Sequence, residues 1–244
     1  MRIKLTLGYD GTSFCGWQVQ KNGDTVQENL ENAVFKVTGE KVRVTGSGRT
    51  DSGVHAMGQT AHFDTECKTV IPEKFYRALN AHLPESIRVY SSEKVADDFD
   101  ACRTAKKKTY RYSLYLSEIE NPLKERYAVR VDDKLDLKRM RECAKVFLGE
   151  HDFKCMCASG SSIKTTVRTL YNIDIEKDGS DLTISVCGNG FLYNMVRILV
   201  GTLLKAGRGE TDEKELSKML ENKERALGGK TLPAKGLCLM KVEY

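Results

Sequence analysis

The order of the hydrophobic periodicities limits the possible folds of this chain more than any other feature. Apolar and polar residues alternate over residues 2–9, which predicts a strand. Thr25 and Glu28 form a capping box that begins a helix, and Gly39 is expected to end it. The other patterns of the first half predict strands at residues 41–46, 59–63 and 87–95, and a helix from Pro72. The predicted order is β-α-β-β-α-β.

The second half of the chain repeats nearly the same order. Its patterns predict strands at residues 108–116, 127–131, 168–176, 182–186 and 236–242, and helices at 136–148, 191–206 and 211–220. Residues 151–166 lack periodicity and are predicted to form a loop. This order is typical of ferredoxin-like units, which have helices on an antiparallel sheet. We therefore expect an α+β fold of two ferredoxin-like βαββαβ halves, residues 1–104 and 105–244, sharing an extended antiparallel sheet with a central basic cleft.

Composition describes a soluble globular protein, since 40% of the 244 residues are hydrophobic and 30% are charged. The N-terminus lacks a signal-peptide pattern, and no stretch is apolar enough to span a bilayer. The eight cysteines are therefore expected to be reduced thiols of a cytoplasmic protein. Cys155 and Cys157 lie near His151, but no second cysteine pair completes a structural zinc site, so we expect no metal.

A cluster of cations and tyrosines in the middle of the chain suggests a polyanionic partner. The net charge is only +5, which is compatible with ordinary solubility. The cluster comprises Arg103, Lys106, Lys107, Lys108, Arg111, Tyr110, Tyr112 and Tyr115. Cations bind phosphates and aromatic faces stack on bases, so the cluster favours nucleic acid. A solvated strand face is the alternative explanation.

The glycine-rich segment 46–53 indicates a ligand-binding or catalytic loop, because glycines let a ligand approach the backbone. A dinucleotide site is disfavoured, since Asp51 replaces the third glycine and a strand follows. No Gly-Lys-Ser/Thr sequence follows, which excludes a phosphate-binding loop. An aspartic protease needs a second Asp-Ser/Thr-Gly, and a serine hydrolase built on Ser52 needs an elbow motif. A single catalytic carboxylate remains.

Asp51 has two possible roles at this stage. It is two residues from Arg49, so the pair either staples the loop or holds a catalytic carboxylate ionised. Arg197 lies in an apolar helix and is expected to be partly buried. A buried guanidinium requires a carboxylate partner, because an unpaired buried charge is very costly. Asp51 is the best candidate for that partner, and the alternative is that Arg197 extends to solvent.

Tyr110, His55 and His62 are further candidates for a functional role. Tyr110 is a candidate for stacking on an unpaired base, and ordinary sheet packing is the equally weighted alternative. His55 and His62 are predicted to be hydrogen-bonded structural histidines and not acid–base catalysts.

Residues 48–56, Gly-Arg-Thr-Asp-Ser-Gly-Val-His-Ala, resemble the catalytic-loop motif of the tRNA pseudouridine synthase A family. Other segments resemble blocks of that family in the same order along the chain. They are residues 9–18, 26–31, 98–101, 108–112, 149–153, 168–170 and 195–201. The resemblance therefore runs over nearly the whole chain and is more specific than one short motif.

The resemblance implies isomerisation of uridine to pseudouridine at positions 38–40 of the tRNA anticodon stem-loop. It implies that Asp51 is the nucleophile or base, that Arg197 pairs with it, and that Tyr110 stacks on the base. Arg49 matches the arginine of the loop motif, which is thought to help extrude the base or hold the backbone. The resemblance also implies a homodimer that uses no cofactor or metal. The alternative is a non-catalytic RNA-binding module with the same basic, aromatic cleft.

Overall fold

A computed structural model describes residues 1–21, 23–131, 134–158 and 164–244. The chain forms two compact units, one of residues 1–106 and 238–244 and one of residues 107–237. The predicted halves were residues 1–104 and 105–244, and in the structure residues 238–244 group with the first unit. Residues 238–244 belong to the first unit because Cys238 and Leu239 pair with His55 and Ala56, which follow the glycine-rich loop. Gly58 makes that approach possible, since a Cβ there would lie 2.2 Å from the Met240 carbonyl oxygen.

The first unit has the predicted β-α-β-β-α-β order. Its elements are β1 (Arg2–Tyr9), α1 (Val26–Thr38), β2 (Thr45–Gly46), β3 (His55–Asp64), α2 (Phe75–Asn80) and β4 (Ile87–Val95). Strand β1 lies between β4 and β3, antiparallel to both, and β2 is antiparallel to β3. This is the strand order of a ferredoxin-like unit. The C-terminal strand β10 (Leu237–Glu243) adds a parallel neighbour, with Cys238 opposite His55.

Local sequence signals explain the first helix and strand. The Thr25 hydroxyl accepts a hydrogen bond from the Glu28 backbone N–H, and Gly39 ends α1 in the left-handed conformation with φ of 76°. Leu5 on β1 and Leu30 on α1 are both fully buried. Burial of each such side chain stabilises the fold by about 1.5–3 kcal/mol.

Strand β2 is shorter than the predicted strand over residues 41–46 because α1 takes the hydrogen bonds of Val44. The Gln27 side-chain amide donates to the Val44 carbonyl at 3.0 Å, and the Val44 N–H donates to the Glu31 carboxylate at 3.0 Å. With both backbone groups bound to the helix, Val44 has no ladder partner. The segment before the glycine-rich loop is therefore anchored to α1.

The second unit is also α+β, so the predicted class is confirmed in both units. Its elements are β5 (Lys107–Leu116), β6 (Val129–Val131), α3 (Leu137–Ala144), β7 (Gly149–Asp152), β8 (Val167–Asp178), β9 (Asp181–Gly188), α4 (Met195–Gly207) and α5 (Glu213–Asn222). The sheet has the order β5-β9-β8-β7, with antiparallel neighbours, and β6 lies parallel beside β5.

Two predictions for the second unit were wrong in their boundaries. The predicted loop 151–166 contains the end of β7 and a 3-10 turn from Phe153 to Met156, and its residues 159–163 lie outside the described residues. The helix predicted from Phe191 begins at Met195, because Asn194 adopts the left-handed conformation with φ of 61°. No helix in the described part of the chain is long and apolar enough to cross a membrane.

Candidate active site

The glycine-rich loop between β2 and β3 is held by a buried glutamine. The Ser47 hydroxyl donates to the Gln59 side-chain carbonyl at 2.6 Å, and the Gln59 amide donates to the Gly48 carbonyl at 3.0 Å. Gln59 and Ser47 are both fully buried. Because hydrogen bonds are strengthened where water is excluded, this pair fixes the start of the loop.

Thr50 anchors the residue before Asp51. Its hydroxyl shares a 2.8 Å hydrogen bond with the Tyr9 hydroxyl, and its carbonyl accepts from the Trp17 N–H at 3.0 Å. Burial raises the pKa of Tyr9 above its ordinary value, so the hydroxyl keeps its proton. Thr50 is buried, whereas Arg49 is exposed and Asp51 is half-buried. The bonds of Thr50 therefore fix the backbone between Arg49 and Asp51.

A tight turn follows Asp51. The Val54 N–H donates to the Asp51 carbonyl at 3.1 Å, and Gly53 takes a φ of 77°, which favours glycine. The Ser52 hydroxyl donates to the Phe14 carbonyl at 3.2 Å. Ser52 therefore bonds to a backbone carbonyl, which agrees with the rejection of a serine hydrolase.

The loop before α1 packs backbone to backbone against this turn. A Cβ on Gly11 would lie 2.0 Å from the Val54 carbonyl oxygen, and one on Gly16 would lie 2.6 Å from the Thr50 carbonyl oxygen. Phe14 and Trp17 of this segment are both buried. The support that Tyr9 and Gln59 give to the loop was not predicted from the sequence. Gly11 and Gly16, close to the aromatic residues, were the only sign in this segment that its backbone packs closely against another part of the chain.

His55 and His62 of the first unit have structural hydrogen bonds, as predicted. His55 Nδ1 accepts from the Gly11 N–H at 3.0 Å and lies 3.2 Å from the Asp10 carboxylate. His62 Nδ1 accepts from the Ala101 N–H at 3.1 Å, and burial lowers the pKa of its ring. A ring nitrogen that accepts a backbone N–H is not available as a general base.

Tyr110 lies on β5 in the second unit, opposite Val186. Its side chain is only 8% exposed, and its ring meets the Phe191 ring edge to face at 5.1 Å. The alternation of the strand divides the predicted cluster of cations and aromatics, since Lys107 and Arg111 are exposed while Tyr110 and Tyr112 are buried on the other face. Packing against Phe191 therefore explains the burial of Tyr110, and its stacking on a base stays a prediction.

Arg197 lies in the first turn of α4 and is half-buried, as expected from its apolar neighbours. Its Nε donates to the Leu232 carbonyl at 2.6 Å, and its Nη1 donates to the Asn194 side-chain oxygen at 2.6 Å. The guanidinium is thus oriented by its own unit. That Asp51 is its carboxylate partner stays a prediction.

The described part of the chain contains no group of three or more His, Cys, Asp or Glu residues that could hold a metal ion. The first unit supplies a half-buried carboxylate, Asp51, on a fixed loop, and the second unit supplies an oriented guanidinium, Arg197. A carboxylate can act as nucleophile or general base. A guanidinium can hold a carboxylate in its ionised form.

Comparison with known proteins identifies the family. A family model described as tRNA pseudouridine synthase matches residues 7–103 and 143–244, which include Asp51, Arg49 and Arg197, whereas Tyr110 lies between the matched segments. These segments place the chain among the RNA-modifying isomerases. The chain belongs to the tRNA pseudouridine synthase family.

Full-length relatives agree with this assignment. The chain is 46% identical over 243 residues to tRNA pseudouridine synthase A 2 of Clostridium perfringens, covering 99% of each chain. It is 45% identical over 244 residues to tRNA pseudouridine synthase A of Shouchella clausii, covering 100% of this chain and 93% of the relative. A solved Cbf5-Nop10-Gar1 complex aligns over 97% of this chain and 48% of that chain, but a TM-score of 0.39 at 13% identity is too low to support a conclusion.

Proposed function

We propose that this enzyme converts uridine to pseudouridine at positions 38–40 of the tRNA anticodon stem-loop, with Asp51 as nucleophile or base. The observation that carries the proposal is the position of Asp51, directly after the clamped Thr50, in a segment that matches the family model. A fixed backbone holds a reacting group in place without reorganisation during the reaction.

The reaction needs one reacting carboxylate and no co-reactant. The bond between ribose C1′ and uracil N1 breaks, the uracil turns, and a bond forms between C1′ and C5. The C5 hydrogen leaves as a proton and N1 gains one, so atoms and electrons balance. Asp51 can start the reaction by attack on C1′, by attack on C6, or by removal of a ribose proton.

The other site residues receive their roles from the resemblance. Arg197 pairs with Asp51, Tyr110 stacks on the base, and Arg49 holds the backbone or helps to extrude the base. The uridine must leave its stack to be reached, which costs a few kcal/mol and explains the need for an aromatic side chain. The enzyme works as a cytoplasmic homodimer without a cofactor. Light scattering after gel filtration tests the dimer, and elution at the 27.4 kDa monomer mass would contradict it.

Tritium release tests the proposed activity. A tRNA transcript carrying tritium at C5 of its uridines should lose label to water, because pseudouridine formation removes the C5 hydrogen. A transcript with cytidine at positions 38–40 should release only background label. Tight tRNA binding without any release would favour the alternative, a non-catalytic RNA-binding module. Release that persists from the cytidine transcript would contradict the proposed target positions.

A further inference from the structure

The residue before α4 lies in the left-handed backbone conformation. Asn194 adopts φ of 61° and ψ of 6°, the left-handed region, which few non-glycine residues occupy. It is the N-cap of α4, where an asparagine side chain ordinarily accepts from a backbone N–H of the first turn. Its side chain makes no such bond here. The preferred capping interaction is therefore replaced by another.

That other interaction is with Arg197. The Asn194 side-chain oxygen accepts from Arg197 Nη1 at 2.6 Å, while the Leu232 carbonyl accepts from Arg197 Nε at 2.6 Å. Acceptors on two different nitrogens fix both the position and the plane of a guanidinium. The left-handed conformation and the absent cap are thus explained by one contact, to the arginine proposed to pair with the catalytic aspartate.

The Leu232 carbonyl, the second acceptor, is held in place by packing against α4. The Asn194 contact is therefore the one that a substitution can remove by itself. A Cβ on Gly201 would lie 2.0 Å from the Lys230 carbonyl oxygen, so the segment before Leu232 runs in direct contact with α4. The Gly229 N–H donates to the Thr202 hydroxyl at 2.9 Å. The Leu232 carbonyl therefore stays with the helix, and a change at Asn194 removes one guanidinium contact without removing the other.

We propose that Asn194 is a positioning residue for catalysis, which orients the Arg197 guanidinium toward its carboxylate partner; this inference rests on the proposed function. The test compares steady-state tritium release from uridine-labelled tRNA by the wild type and by variants of the full chain. N194G permits the left-handed backbone and removes the acceptor. N194D keeps an oxygen at the same place.

Loss of the contact should lower kcat by about tenfold in N194G, with KM within twofold, because a misplaced catalytic partner affects the transition state more than binding. N194D should recover at least half of the lost activity. K223G is the matched control, since Lys223 also has a positive φ, 59°, at a helix end of the same unit. K223G is expected to keep kcat within twofold of the wild type.

A double-mutant comparison separates positioning from general stability. R197K keeps a cation but loses the guanidinium fork, so N194G in that background should lower kcat by less than twofold. A further tenfold loss there, wild-type activity in N194G, or no recovery in N194D would overturn the inference. If the wild type itself releases no tritium, the proposed function fails first, and the two failures are thereby distinguished.

Discussion

At the scale of single residues, the backbone beside Asp51 is held by side chains and backbone groups outside the loop. Tyr9 and Trp17 hold Thr50, and Gln59 holds Gly48. The spacing of glycines around Asp51 could predict a ligand-binding or catalytic loop, because that signal is local. The supports could not be predicted in the same way, since a tyrosine at a strand end and a glutamine in a strand have no local pattern that links them to the loop.

Removal of the Tyr9 hydroxyl tests this support. Tyr9→Phe leaves the buried Thr50 hydroxyl without that 2.8 Å partner, so the free energy of unfolding should fall by about 1–3 kcal/mol, and kcat should fall with it. Urea denaturation measures the first quantity. Tyr76→Phe is the control, because its hydroxyl bonds to the Arg77 side chain at an exposed position, and a change below about 0.5 kcal/mol is expected. Equal effects of the two substitutions would contradict the account.

Tyr110 allows a test of stacking against packing. Tyr110→Phe keeps the ring and its edge contact with Phe191, so stacking on the base should persist. The free energy of unfolding should remain within about 1.5 kcal/mol of the wild type, the net contribution of a hydrogen bond. Tyr110→Leu removes the ring, and we expect kcat/KM for tRNA to fall by about tenfold or more, since stacking on a base contributes about 1–3 kcal/mol. A leucine variant that keeps full activity while losing stability would show that packing is the whole role.

At the scale of elements, locally encoded structure was predicted well and non-local pairing was not. The alternation of β1 and the caps of α1 are properties of adjacent residues, and both were confirmed. The shortening of β2 depends on Gln27 and Glu31 of a helix, and the start of α4 depends on the contact between Asn194 and Arg197. Tertiary hydrogen bonds decide such boundaries, so periodicity alone could not locate them.

The contact between α4 and the segment after α5 gives a prediction at this scale. Gly201→Ala adds a good helix former, which alone would stabilise a helix by about 1 kcal/mol. The new Cβ would lie 2.0 Å from the Lys230 carbonyl oxygen, so the backbone must move, and we expect a net loss of about 1–3 kcal/mol by thermal or urea unfolding. Gly190→Ala is the control, because its Cβ would have ordinary contacts of 3.5 Å. A Gly201→Ala variant as stable as the wild type would rule out the close packing.

At the scale of the whole molecule, family membership supports an RNA partner more strongly than net charge does. The family match covers both ends of the chain, and the net charge of +5 is modest. The sequence could suggest nucleic acid from the order of cations and tyrosines, but only the structure shows that Lys107 and Arg111 are exposed while Tyr112 is fully buried. Which face of a strand is solvated depends on what packs against the sheet.

Salt dependence tests the proposed contribution of the exposed cations to tRNA binding. The logarithm of the association constant should fall linearly with the logarithm of salt concentration, with a slope of about −0.7 to −0.9 per phosphate contacted. Lys107→Gln with Arg111→Gln should make that slope shallower by about one to two and leave kcat at saturating tRNA unchanged. Lys138→Gln with Lys145→Gln removes the same charge from other exposed positions and should leave the slope as it is. Identical slopes for both pairs would exclude a specific phosphate contact.

The role of Asp51 is tested most directly by single-turnover tritium release with enzyme in excess over labelled tRNA, comparing the wild type with Asp51→Asn. Asp178→Asn, at an exposed hairpin position, is the matched control. The account predicts that Asp51→Asn lowers the release rate by about a thousandfold or more. It also predicts a tRNA dissociation constant within threefold of the wild type and a variant that remains folded at the assay temperature, which circular dichroism checks. Release by Asp51→Asn within tenfold of the wild-type rate would contradict the assignment of Asp51 as the catalytic carboxylate.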